Sequence, residues 1–117
     1  MSGMTDCRVK RIYEPVAEDD GFRVLVDRLW PRGVSREEAA VDLWLKEVAP
    51  SAELRQWFGH DPERFAEFRE RNRDELDTNP AFTRLQQLTA DHERVTLLYG
   101  ARDRQHNQAV VLRELLE

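Results

Sequence analysis

Two stretches of this chain combine residue types that do chemistry. They are Asp27-Arg28-Leu29-Trp30-Pro31-Arg32-Gly33 and Tyr99-Gly100-Ala101-Arg102-Asp103-Arg104-Gln105-His106-Asn107. In the second, Asp103 has the type of a helix cap. A helix from Gln105 would put His106 and Asn107 in its first turn, where free backbone N–H groups and the positive dipole end attract anions. The same dipole disfavours an imidazolium, which suits His106 to act as an acceptor or general base. In the first stretch, Arg28 and Arg32 can offer planar guanidinium forks to an oxyanion. Asp27 either orients a catalytic group or pairs with Arg28 or Arg32 and pins the loop, and both readings stay open. Trp30 is either core or a ligand platform.

A third polar cluster is His60-Asp61-Pro62. Asp61 followed by Pro is a helix start, which explains Asp61 and leaves His60 to reach a neighbouring site or to face water. Asp27, His60, Asp103 and His106 assemble a metal site only on paper. No ligand pair stands at helical spacing in the manner of His-x-x-x-His, so no metal site is expected. No phosphate loop, Gly-x-Gly-x-x-Gly or nucleophile elbow occurs either, leaving triphosphatase, dinucleotide and serine hydrolase readings without support.

These residues follow apolar runs. Val24 to Leu29 and Val95 to Tyr99 read as strands buried on both faces, so they are expected side by side in one sheet with their polar exits on the same edge. Further strands are expected at Arg8 to Tyr13 and around Leu43 to Glu47, the latter also compatible with helix. Ser35 with Glu38 forms a capping-box pattern for a short helix. Helices are expected from Pro50-Ser51 to about Gly59, from Pro62 to Leu76, from Asn79-Pro80 through Leu88, and from Gln105 to Leu116. Interleaved strands and helices predict an α/β fold, a small and mainly parallel sheet of about four strands sandwiched between helical layers. One domain fills the 117 residues, with residues 1–7 as a flexible tail.

The net charge is −5, which disfavours general nucleic-acid binding. Charge is uneven: residues 1–36 carry seven basic and six acidic groups, and residues 37–117 carry eleven and seventeen. Arg11, Arg28, Arg32 and Arg36 can therefore form a local positive pocket on an acidic body. Cys7 is the only cysteine, and no run approaches the roughly 20 apolar residues of a membrane span, so a reducing, cytoplasmic setting is expected.

The order of Val9-Lys10-Arg11-Ile12-Tyr13, Val26 to Gly33, Trp44-Leu45-Lys46, Ala49-Pro50-Ser51, Trp57-Phe58, His60-Asp61-Pro62 and Leu98-Tyr99 through His106-Asn107 resembles the short YeaO-like branch of the domain-of-unknown-function 488 family. The resemblance covers roughly residues 8 to 116 and implies a compact α/β domain with no assigned activity. Longer relatives carry a Cys after the last strand and a Cys-His-Arg cluster at the next helix. Tyr99 and His106-Asn107 stand near those positions here. The patterned polar positions that carry over are Asp27, Arg28, Arg32, His60, Tyr99, Asp103, His106 and Asn107.

Two functions of different class follow. In an enzyme on a small phosphorylated or nucleotide-like anion, Arg28 and Arg32 would bind the anion and His106 would move a proton. Asp27 would orient a partner and Tyr99 would donate to a developing oxyanion, with His60 in the same cleft. In a non-catalytic module, the same pocket would sense an anionic ligand or dock a protein partner, a second copy included. An exposed apolar patch beside the polar edge would favour the second. No cofactor is implied.

Overall fold

The computed structural model describes residues 6–117. Four parallel strands form one sheet in the order β1-β4-β2-β3, with β1 Asp6–Arg11, β2 Phe22–Leu25, β3 Leu43–Trp44 and β4 Arg94–Tyr99. The two strands expected to be central are neighbours, with Val24 opposite Leu97 and Leu25 opposite Leu98. Their side chains are buried on both faces, which accounts for their unbroken apolar character.

The layers over the two faces are unequal. One face carries Val24, Val26, Val95, Leu97 and Tyr99 against α4 (Pro80–Asp91) and α5 (Gln108–Leu116), through Leu85, Ala109 and Leu112. The other carries Ile12, Leu25 and Leu98 under the one-turn helix α1 (Arg36–Ala39) and a loop bearing Trp30. A satellite cluster of Leu54, Phe58, Phe65, Phe68 and Val111 joins α2 (Ala52–Phe58), α3 (Phe65–Asp77) and α5. Among the described residues no helix is long and apolar enough to cross a membrane.

Four helix starts follow the capping signals, α2 among them through the Ser51 hydroxyl, which accepts from the Leu54 N–H at 3.2 Å. Ser35 accepts from the Glu38 N–H while Glu38 accepts from the Ser35 N–H, Asp61 accepts from the Glu63 N–H, and Asn79 accepts from the Ala81 N–H. Four boundaries differ from expectation, besides that of α3, which starts at Phe65 after a 3-10 turn over Pro62–Arg64. β2 ends at Leu25 rather than Leu29, because beyond Val26 the chain leaves the ladder to place Asp27 and Arg28 on other partners. β3 has two residues and passes into a 3-10 turn at Lys46–Val48. β1 stops at Arg11 but starts at Asp6, where Asp6 and Cys7 pair with Arg94 and Val95; the supposed tail is therefore strand at these two positions, and residues 1–5 lie outside the described residues. The fourth, the start of α5, shapes the site.

Candidate functional site

Because β2 and β4 are parallel neighbours, their carboxyl ends open on one edge, which is where open α/β sheets place ligands. A cleft of about 490 Å³ lies there, within the range of small-molecule sites. Asp27, Arg28, Trp30, Arg32, His60, His106 and Asn107 all line it, so seven of the ten residues singled out from the sequence converge.

Asp27 ties the elements together. Its Oδ2 accepts from the Gly100 N–H at 2.9 Å and its Oδ1 accepts from Gln108 Nε2 at 2.5 Å, linking the ends of β2 and β4 to the first residue of α5. A Cβ on residue 100 would sit 3.1 Å from Asp27 Oδ2 and 3.2 Å from Pro31 Cβ, so glycine gives the close approach this joint needs. Asp27 makes no ion pair with Arg28 or Arg32, and the internal pairing left open from the sequence does not form. Burial pushes its carboxyl above the usual aspartate range, opposed by the two hydrogen bonds and by the charges of Arg55 and His60.

This shift has a thermodynamic consequence. A carboxyl whose folded value lies above its unfolded value adds stability only when protonated. That contribution is present below the unfolded value and lost as pH rises through the folded one. Asp27→Asn keeps an acceptor for Gly100, and an amide flip of Gln108 can meet its NH2. It is expected to melt higher than the parent at pH 8 and at the same temperature near pH 3. A parent that melts higher at pH 8 would contradict this.

His106 is fixed by Asp103. Nδ1 lies 2.8 Å from Asp103 Oδ2, while Asp103 Oδ1 accepts from the backbone N–H groups of Gln105 and His106. With the carboxylate accepting, Nδ1 carries a proton, and in the neutral ring Nε2 is then the acceptor. The Gln105 N–H, followed by His106, holds the Asp103 carboxyl below its usual range. Having spent both oxygens on this turn, Asp103 does not cap α5. Asn107 does, accepting from the Val110 N–H at 3.1 Å and donating Nδ2 to the Asp103 carbonyl at 2.8 Å. The helix starts at Gln108, so His106 and Asn107 precede its first turn instead of lying inside it.

The arginines divide. Arg28 donates Nη2 to the Ala49 carbonyl at 3.0 Å, which braces the approach to α2, and its Nε is buried without a partner. The Arg32 side chain is exposed at the cleft mouth, while its carbonyl accepts from the Tyr13 hydroxyl at 2.7 Å. Arg11 turns to the carbonyl of Ala101 at 2.9 Å and is not a lining residue. Arg36 stacks over Trp30 and Trp44, at 4.7 and 5.4 Å from the ring centres. The Trp30 Nε1 donates to the Val34 carbonyl and its ring meets Trp44 edge-on, so the indole is braced by the fold and borders the cleft at once.

Tyr99 is placed elsewhere. The alternation of β4 turns it to the α5 face, where it is buried, and burial raises its phenol pKa; it does not line the cleft. His60 is exposed with φ 57°, following Gly59 at φ 52°, and this left-handed exit from α2 turns the chain so that His60 lines the cleft. Sequence reasoning missed Arg55, Gln56 and Gln108, all lining residues. Arg55 stands five residues before His60, outside the three- or four-residue spacing that shares a helix face, and no local pattern marked it.

Cys7 lies at the other edge of the sheet, opposite Val95, and burial pushes its thiol up to about 11. No thiol or aliphatic hydroxyl among the described residues lines the cleft. Among the described residues no group of three or more His, Cys, Asp and Glu side chains is gathered to hold a metal ion, so Asp27, His60, Asp103 and His106 do not form one.

An uncharacterised protein of Mycobacterium tuberculosis H37Rv, Rv3073c, is 46% identical over 112 residues, covering 96% of this chain and 94% of that protein. The uncharacterised protein YeaO of Escherichia coli K12 is 41% identical over 107 residues, covering 92% and 93%. No solved structure matches. The family described as the inactive DUF488-N3 subclade, DUF488-N3i, matches residues 6–117, the whole described sheet together with its cleft. On that match and these relatives, the chain belongs to the domain-of-unknown-function 488 family.

Proposed function

We propose that the cleft binds a small anionic ligand without transforming it, as a non-catalytic sensing or docking module. The observation that carries this reading is the set of guanidinium groups. Arg28, Arg32 and Arg55 line a cleft with one carboxylate, and none of the three makes an ion pair among the described residues, whereas Arg23, Arg94 and Arg104 do. Unpaired guanidinium groups around a concavity on a chain of net charge −5 favour an anion. Two exposed apolar residues border the cleft, Leu29 at 70% and Tyr13 at 43% exposure, as expected of a binding surface. The lack of a thiol or aliphatic hydroxyl among the described lining residues, and the match to a family described as an inactive subclade, support binding without turnover.

A second reading rests on the Asp103–His106 pair, whose Nδ1 contact at 2.8 Å is the geometry of an oriented general base. One comparison tests the first. Phosphate should raise the melting temperature of the parent more than chloride does at matched ionic strength, and this excess should vanish in Arg32→Ala. Phosphate also stabilises proteins by exclusion from their surfaces, so equal stabilisation of parent and Arg32→Ala would overturn the reading. Consumption of a phosphorylated probe that is lost in His106→Ala would favour the second.

A further inference from the structure

Among the described residues Asp27 is the only carboxylate in the cleft lining, and neither of its hydrogen-bond partners is a cation: Gly100 gives a backbone N–H and Gln108 an amide. A carboxylate has about four acceptor sites, so each oxygen keeps room for one more donor. Retaining a half-buried carboxylate with no cation in hydrogen-bond contact costs stability, and such costs concentrate where a group is needed for recognition. Asp27 is the more buried anion at the inner wall, while Arg32 and Arg55 are exposed at the mouth. The rest of the lining includes the aromatic rings of Trp30 and Phe58, the latter stacked on Phe68, and the apolar Leu29 and Pro31.

A ligand that satisfies all three regions has an N–H donor, a planar ring and an anion. An inorganic anion fills only the mouth. An aliphatic zwitterion meets both charges and leaves the aromatic walls uncovered. We propose, building on the anion-binding reading, that the cleft takes a nucleoside monophosphate or a ligand of the same chemistry, with ring N–H groups donating to Asp27 and the phosphate held by the arginines. Guanosine 5′-monophosphate is the apt probe, because its base edge carries adjacent N–H donors that a carboxylate can accept together.

Isothermal titration of the full chain, at fixed ionic strength, separates the two layers of this account. Guanosine 5′-monophosphate should bind about tenfold or more tightly than ribose 5-phosphate. Asp27→Asn should remove that advantage without reducing ribose 5-phosphate affinity, and Arg32→Ala should weaken both ligands. Equal affinity of the parent for the two ligands overturns the base-reading role of Asp27 and leaves the anion site standing, as does an Asp27→Asn protein that keeps the full preference. No binding of either by the parent overturns both. The comparison on the parent decides even if a variant folds poorly.

Discussion

Asp20→Ala is expected to cost about 3–5 kcal/mol of stability, the range seen when one partner of a buried ion pair is removed. Asp20 is 5% exposed and accepts from Lys10 Nζ at 3.0 and 3.1 Å, from Arg23 Nη1 at 2.5 Å and from the Ala17 N–H at 3.0 Å. Arg23 is itself 4% exposed, and its other donors reach the carbonyls of Ala39 and Ala40. Alanine at 20 would leave a buried guanidinium with an unmatched charge under the sheet. Burial disfavours the Asp20 carboxylate, but the Ala17 N–H and then Lys10 and Arg23 outweigh it and hold the carboxyl below its usual range. A folded value below the unfolded one gives stability that is present above the unfolded value and lost as pH falls through the folded one. The gap between parent and variant in urea midpoints should therefore be wide at pH 7 and narrow toward pH 2. A gap under about 1 kcal/mol at pH 7 would show that desolvation cancels the pairing.

Gly21→Ala should be comparably damaging, at about 3 kcal/mol or more, for two independent reasons. Gly21 has φ 69° and ψ −139°, a backbone region that is essentially glycine's, where strain costs about 1–3 kcal/mol. An added Cβ would also lie 2.3 Å from the Arg94 carbonyl oxygen and 2.8 Å from Arg94 Cβ. The clash forces β2 away from β4 at the amino end of the pair whose other end builds the cleft. Gly33 supplies the control, since its φ is 81° and among the described residues no atom lies within 4 Å of a Cβ there. Gly33→Ala should cost only the left-handed strain, about 1–2 kcal/mol. Equal losses at the two positions, read by thermal unfolding, would mean that the close approach of β2 to β4 contributes nothing.

Legibility tracked locality. The β2/β4 pair was readable because a strand buried on both faces has no choice but a continuous apolar run, and the caps at Ser35, Asp61 and Asn79 were readable because a cap is set by residues three or fewer apart. The start of α5 was not, because Asp103 and Asn107 are both capping types and the choice depends on where the Asp103 oxygens go; His106 takes one. The Asp20 cluster was not legible in the acidic run Glu18-Asp19-Asp20, since its cations come from Lys10 and Arg23 on two strands. Gln108 and Arg55 were missed for the same reason. Each meets Asp27, by hydrogen bond or by charge, only once distant elements assemble.

The proposed anion site at the carboxyl edge of the β2/β4 pair depends on Arg32. The direct measurement follows backbone amide resonances of the full chain in a phosphate titration against a chloride background. The account predicts saturable shifts at Gly100, Ala101 and Gln108, none at His92 and Glu93 by the acidic hollow at the opposite edge, and loss of the response in Arg32→Ala. Shifts that are unsaturable, that spread evenly over both edges, or that persist in Arg32→Ala would contradict it.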